Sequence, residues 1–314
     1  MKVTVILCTY NRSDSLAKAL ESLAASVVPE SVDWEVLVVD NNSTDRTREV
    51  AERFCRQHFG RFQYLFEPKQ GLSQARNTGV REARGEIIAF VDDDVKVEPT
   101  WLDNLTSPLH DGDWAGSGGR ILPARGFVPP RWLALDGPRN LGMTLCAQFD
   151  LGDLPAELKD APFGTNMAFR KEVLDRFGKF RTDLGRFSNN LMGNEDTEFG
   201  RRVMAGGARL RYVPSAVVYH EVQESRVRKQ YFLRWWFDRG RGAIRESGRI
   251  LGASEILSLL FRALPTALGS VLSFDPQRRF YRKCMVWCAA GKLVEAYRLS
   301  KEPGYKGRRQ PETI

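Results

Sequence analysis

Strand-like and helix-like periods alternate through the first hundred residues with only short connections, and few folds accept that pattern. Residues 3–8 form an apolar, β-branched run, and residues 13–25 follow with Leu16, Leu20 and Leu23 at helical spacing. Residues 34–39 read as a second buried strand ending at Asp40, with turn and cap residues over 41–45. The periods then predict a helix over 47–58, a strand over 62–66, a helix over 72–83 and a strand over 86–91. Ala75, Gly79 and Ala83, four apart, would let that third helix lie close on a sheet. Repeated strand–helix units with short connections dictate parallel strands, right-handed crossovers and helices on both faces. The expected fold is therefore α/β, a Rossmann-like, mostly parallel sheet flanked by helices. Ligands in such sheets bind at the carboxyl ends of the strands. Polar residues fall there: Thr9, Tyr10 and Asn11 after the first strand, Asp40 after the second, and Asp92, Asp93 and Asp94 after the fourth. No GxGxxG follows the first strand, which argues against the usual dinucleotide fold.

Beyond residue 114 the pattern weakens into Gly-, Pro- and Trp-rich loops and short strands. Short helices are expected over 171–177 and 196–205, and a strand over 216–222. From 226 the chain turns helical and basic, in segments 226–247, 252–273 with a break near Pro265, and 277–300. Charge divides the chain in the same place. Residues 221–314 hold 19 Lys and Arg against 9 Asp and Glu, while residues 1–220 hold 28 against 30. Two functions are thus expected along the chain: a domain over 1–222, in halves 1–112 and 113–222, and a basic, amphipathic helical region over 223–314.

A hydrophobic content of 42% with 27% charged residues excludes pervasive disorder. Five scattered cysteines with no CxxC pair point to a reducing compartment and away from zinc. The opening MKVTVILCTYNR reads as a strand, not a signal peptide. No eighteen apolar residues run uninterrupted, and the best stretch, 256–274, contains Arg262 and Pro265, so no spanning helix is expected.

The chemistry-bearing residues are few. On a strand, Asp92 and Asp94 share a face and Asp93 points away. Two adjacent carboxylates repel unless a cation neutralises them, so they read either as a solvated acidic turn or as ligands of a hard divalent ion. Asn194, Glu195 and Asp196 open a helix, where acids are favoured by the dipole alone and where a carboxylate is also kept ready as a base. His220 shares a face with Ala216, Val218 and Val222; it is either a core histidine or the imidazole that completes a Mn2+ site with Asp94. The basic, aromatic stretch 226–249 fits a helix docked on the main domain, an anionic membrane surface, or a nucleic-acid groove. Cys284 and Cys288, one turn apart, read as packing.

Six segments in order, VTVILCTYNR (3–12), EVLVVDNNSTD (35–45), GLSQARNTGVREARGEIIAFVDDDV (71–95), GTNMAFRKEVLDRFGKF (164–180), GNEDTEFGRRVMAGG (193–207) and YVPSAVVYHE (212–221), resemble glycosyltransferase family 2. This family comprises inverting nucleotide-sugar transferases of the GT-A fold. The resemblance implies Asp40 as the contact to the donor base, with Thr9, Tyr10, Asn11 and Arg12 beside the nucleotide. It implies Arg76 and Asn77 bordering the donor pocket, Asp92 and Asp93 on the donor, and Asp94 on the metal with Asp92 in its shell. His220 matches a position that contacts metal or pyrophosphate. Asp196 matches the catalytic base, and Gly164, Asn166 and Glu195 the acceptor side.

The implied cofactor is Mn2+ or Mg2+, and the implied donor a nucleotide-diphosphate sugar, UDP by family habit. The implied acceptor is a hydroxyl of a glycan or lipid-linked glycan. Processive relatives carry QxxRW; here Gln230 and Arg234 are separated by three residues, so single-sugar addition is expected. The expected location is cytoplasmic, peripheral on an anionic membrane through the basic helices, with no nucleic-acid partner. A nucleotidyl transferase would need a glycine in the CTYNRSDS loop, and there is none. The remaining alternative is a non-catalytic membrane- or nucleic-acid-binding module using 226–249; an intact Asp92, Asp94 and Asp196 set argues against it.

Overall fold

The computed structural model describes residues 2–186, 191, 193–248 and 251–302. Alternation persists as expected: β1 (Lys2–Thr9), α1 (Ser13–Ala24), β2 (Asp33–Asp40), α2 (Thr47–Gln57), β3 (Phe62–Phe66), α3 (Leu72–Glu82) and β4 (Ile87–Asp92). There follow β5 (Val95–Val97), α4 (Trp101–Thr106), β6 (Gly116–Pro123), α5 (Gly142–Cys146), β7 (Ala156–Glu157), β8 (Asn166–Arg170), α6 (Lys171–Phe177), α7 (Glu195–Ala205) and β9 (Leu210–His220). Helices α8 (Lys229–Ser247), α9 (Ala253–Leu272) and α10 (Pro276–Lys301) complete the order.

Among the described residues the strands form one sheet in the order β3-β2-β1-β4-β8-β6-β9-β5, with β7 on β9. The first four are mutually parallel, β8 runs antiparallel to both β4 and β6, and β6 is parallel to β9. Alternate strand residues feed two cores. Val3, Val5 and Leu7 of β1 pack with Leu16, Leu20 and Leu23 of α1 and Trp101 of α4. Ile6 of β1 and Phe90 of β4 face the other way, toward Ala75, Val173, Phe199 and Val203. The small-residue stripe of α3 acts as expected: a Cβ at Gly79 would lie 2.6 Å from Ile6 Cγ2, so only glycine permits this approach.

Two departures concern the second half. Strand β9 begins at Leu210, not 216, because Pro214 masks its first half in the sequence. The segment expected to break near Pro265 is one continuous helix, α9, which by length and composition alone is long and apolar enough to cross a membrane.

The chain divides into two compact units. One comprises the described residues of Met1–Gly126, Cys146–Ser188 and Glu195–Val222; the other comprises those of Phe127–Leu145, Asn189–Asn194 and Gln223–Ile314. Residues 127–145, expected in the first domain, therefore group with the C-terminal helices. Trp132 explains this: its ring meets Phe232 of α8 at 5.2 Å and Phe280 of α10 at 4.7 Å, both edge-on. Within the same unit the buried Glu295 of α10 binds Arg241, at 2.8 Å, and Arg245, both on α8.

Candidate active site

The strand ends of the first unit assemble the polar residues. β4 delivers Asp92, the following turn Asp93 and Asp94, and the end of β9 supplies His220, whose Cα pairs with Val95 of β5. One ligand atom each from Asp92, Asp94 and His220 lies within 4.8 Å of the others. His220 is buried and yet faces these carboxylates, an arrangement open to the ligand reading. Its Nδ1 donates to the Glu221 carbonyl at 2.9 Å, because a carbonyl only accepts. In a neutral ring this leaves the Nε2 lone pair facing Asp94 Oδ1 at 3.2 Å. Two acceptors at that distance are reconciled by a second ring proton or by a cation between them. Two carboxylates and an imidazole nitrogen are a donor set that Mn2+ or Mg2+ accepts, so the residues fit the metal that the resemblance implies.

Arg12 binds Asp94 and, at 3.2 Å, Asp93 Oδ1. Thr9 Oγ1 donates to Asp93 Oδ2 at 2.7 Å. Burial nonetheless pushes the Asp93 carboxyl up to about 6, against the pull of Arg12 and with Asp94 adding to the rise. Asn11 has φ 51° and its Oδ1 accepts from the Thr44 amide at 2.7 Å, joining the loop after β1 to that after β2. Tyr10 between them is exposed. Asp40 is 1% exposed and accepts from the Tyr64 hydroxyl and the Ser43 amide, both at 2.9 Å. It holds the second loop in place.

Across the cluster, Gly164 and Thr165 form a bridge between two carboxylates. The Gly164 amide donates to Asp196 Oδ2 at 2.7 Å, and Thr165 Oγ1 donates to Asp92 Oδ2 at 2.6 Å. A Cβ at 164 would lie 2.1 Å from Arg76 Nη2, so any larger residue there has to displace the guanidinium. Buried Arg76 in turn contacts Glu195 Oε1 at 2.6 Å and Asp92 Oδ1 at 3.7 Å. Asp196, half-buried in the first turn of α7, also accepts from the Thr197 amide at 2.7 Å. Glu195 is 3% exposed, and its Oε2 has no hydrogen-bond partner among the described residues. Burial, and then Asp196, push it up to about 7 although Arg76 opposes.

Two expected site residues sit elsewhere. Asn77 gives both side-chain polar atoms to the Phe180 backbone at 2.9 Å and braces that loop, so it does not face the cluster. Asn166 is completely buried. It accepts from Trp101 Nε1 at 2.8 Å and donates to the Arg120 and Ala216 carbonyls at 3.0 and 2.8 Å, which makes it a bolt between strands with no group left for an acceptor. Thr165 and Tyr64 carry contacts that the sequence did not single out. The signal for Thr165 was its place between Gly164 and Asn166.

An α/β sheet that gathers an Asp-x-Asp pair, a histidine and a helix-start acid at its strand ends defines a glycosyltransferase of the GT-A type. The profile of Glycosyl transferase family 2 matches residues 4–178, more than half of the sequence, and the chain belongs to that family. Glycosyltransferase AglE of Haloferax volcanii is 26% identical over 248 residues, 76% of this chain and 75% of that protein. The succinoglycan biosynthesis protein ExoM of Rhizobium meliloti is 27% identical over 242 residues, 77% of this chain and 74% of its own length. A glucosyl-dolichyl phosphate glucuronosyltransferase of Haloferax volcanii is 27% identical, covering 72% of this chain and 71% of itself.

Among solved structures, a mannosyltransferase of Pyrobaculum calidifontis in complex with GDP-Man and Mn2+ superposes with a TM-score of 0.65 at 20% identity, over 96% of this chain and 88% of that one. TarS 1–349 of S. aureus in complex with UDP gives 0.54 at 17% identity, over 96% and 93%. At these identities the likeness speaks to the fold.

Proposed function

We propose that this glycosyltransferase moves one sugar at a time from a nucleotide-diphosphate sugar, with UDP as the nucleotide, to a hydroxyl of a glycan or lipid-linked glycan, inverting the anomeric centre. The observation that carries the reading is the Gly164–Thr165 bridge, which ties Asp196 and Asp92 to adjacent residues. Base and diphosphate-side carboxylates are thereby fixed together. A relative named as a glucosyl-dolichyl phosphate glucuronosyltransferase, and neighbours solved with GDP-Man and Mn2+ or with UDP, support the substrate classes.

A divalent ion, Mn2+ or Mg2+, held by Asp92, Asp94 and His220 supplies neutralisation of the leaving diphosphate when bound. The remaining work falls to the chain. Two backbone amides fix the Asp196 carboxylate in position, where it takes the proton of the acceptor hydroxyl as that oxygen attacks opposite the leaving group. Arg76 is held charged by Glu195, Asp196 and Asp92, although burial alone would lower its pKa. It thus presents a fixed positive charge beside the reacting carboxylates. Thr9, Asn11 and Arg12 shape the loop at the nucleotide side. We place the enzyme on the cytoplasmic face of a membrane, where a lipid-linked acceptor is reached from the aqueous phase.

The test is a thermal-shift panel of UDP, GDP, CDP and dTDP with and without Mn2+. A ligand at about a hundred times its Kd adds roughly 2.7 kcal/mol, a rise of several degrees in a domain this size. The expected result is a Mn2+-dependent rise with UDP that disappears in Asp94→Ala. Silence with every nucleotide would overturn the donor reading, and a rise with another nucleotide alone would correct UDP.

A further inference from the structure

Helix α9 carries an apolar stripe that no described residue of its own unit covers. Leu257, Leu260, Phe261, Leu264, Leu268 and Leu272 recur at three- and four-residue spacing and are each between 43% and 78% exposed. At 3.6 residues per turn they fall within about a third of the helix circumference. Phe274, just beyond the helix, is fully exposed. Only 6% of the most apolar window of α9 is buried, and its mean hydropathy is 1.4. The opposite face belongs to the protein: Ser270 is buried, and the Gly269 carbonyl accepts from Arg282 of α10 at 2.9 Å. A lone exposed leucine means nothing, but a contiguous stripe along a 20-residue helix, about 30 Å, marks an interaction surface.

Charge identifies the partner. Arg278, Arg279 and Lys283 are exposed in the first turns of α10, which follows α9 directly in the chain, and Arg262 is exposed on α9 off the stripe. Residues 221–314 as a whole hold 19 basic against 9 acidic residues. A second copy laid on the stripe would press two such cationic regions together, whereas an anionic lipid surface satisfies stripe and charge at once. Orientation follows from the polar side of the helix. Ser258, Arg262 and Thr266 lie off the stripe, and the bond from Arg282 holds the inner face to α10, so a transmembrane pose would bring polar groups into hydrocarbon. We propose that α9 lies in the plane of an anionic bilayer, its Leu and Phe stripe entering the acyl boundary while Arg278, Arg279 and Lys283 meet the headgroups.

Of the readings open for 226–249, packing within the protein suits the buried Phe232 and Trp236, and within the basic C-terminal region the membrane contact falls to α9. The proposal stands on α9 and its basic flank and is independent of the reaction catalysed.

The experiment is flotation of the full chain with vesicles of phosphatidylcholine alone or mixed with phosphatidylglycerol, without nucleotide or acceptor. Wild type is expected to partition onto the mixed vesicles and to stay partly bound at high salt, since the apolar contribution is not screened. Phe261→Asp/Leu264→Asp is expected to weaken partition roughly hundred-fold, the effect of removing two buried apolar side chains. Both positions are exposed, so an unchanged Tm and nucleotide-induced shift confirm that the variant is folded. Absence of wild-type partition, or equal partition of the variant, overturns the proposal. So does a lipid-free dimer in analytical ultracentrifugation that the same variant dissolves, because the stripe then belongs to a second copy.

Discussion

Asp196→Asn is expected to lower kcat by roughly 10²- to 10⁴-fold while leaving donor affinity nearly unchanged. The amide is isosteric and lies off the Asp92, Asp94 and His220 cluster, which stays intact. It loses the one property the proposed role requires there, a carboxylate that takes a proton. Its single oxygen also serves only one of the Gly164 and Thr197 amides, a local loss of about 1 kcal/mol that does not reach the turnover scale. The measurement is steady-state transfer beside nucleotide binding by thermal shift. Intact turnover would remove Asp196 from the mechanism. Asp94→Ala makes the contrasting variant, since it strikes metal-dependent donor binding first.

Arg76→Ala is expected to reduce stability by about 3–5 kcal/mol, because it strands a buried carboxylate. Glu195 relies on Arg76 for its Oε1, and its Oε2 is already without a partner among the described residues. For a chain this size the loss lowers Tm by on the order of ten degrees. The deficit depends on pH with a definite sign. Glu195 stands at about 7 against an ordinary 4.5, so the folded state holds this proton more tightly than the unfolded chain. Its contribution to stability is therefore complete below about 4.5 and lost as pH rises through about 7. Removing the opposing guanidinium drives the group higher still. The variant's deficit is then largest on the alkaline side and shrinks toward about pH 5. Calorimetry across that range checks it, and Glu195→Gln in the Arg76→Ala background is expected to flatten the pH dependence. A deficit that ignores pH would show that another group is responsible.

The alternating half of the fold was legible because periods of two and three to four residues are local. Strand ends follow from strand runs, which is why Thr9, Asp92 and Asp94 could be placed. His220 was not placed by that reasoning. It reaches Asp94 only because β5 and β9 pair with Val95 opposite it, a non-local register. Asn77 and Asn166 show a second limit: residue type and position announce a polar function, but hydrogen bonds to Phe180, Arg120 and Ala216 backbone use that polarity inside the protein. Composition likewise marked 256–274 as the most apolar stretch without saying whether anything covers it. The grouping of 127–145 with the C-terminal helices depends on Trp132 meeting two rings a hundred or more residues away.

The pairing of β6 with β9 jumps from Gly119 opposite Val213 to Arg120 opposite Val217. Before the jump, Leu210 and Tyr212 point into the core shared with Phe199; after it, Ala216 and Val218 point into the core shared with Leu16 and Trp101. The few residues between thus reverse which side of the sheet the even positions of β9 occupy, and His220 is the next even position. Spacing there matters more than chemistry. A lineage is free to exchange the exposed Ser215 for many residues, yet deletion of that one residue would turn His220 away from Asp94 and leave the two carboxylates without their imidazole. In a library that samples both kinds of change, this stretch would score as permissive to replacement and closed to length variation.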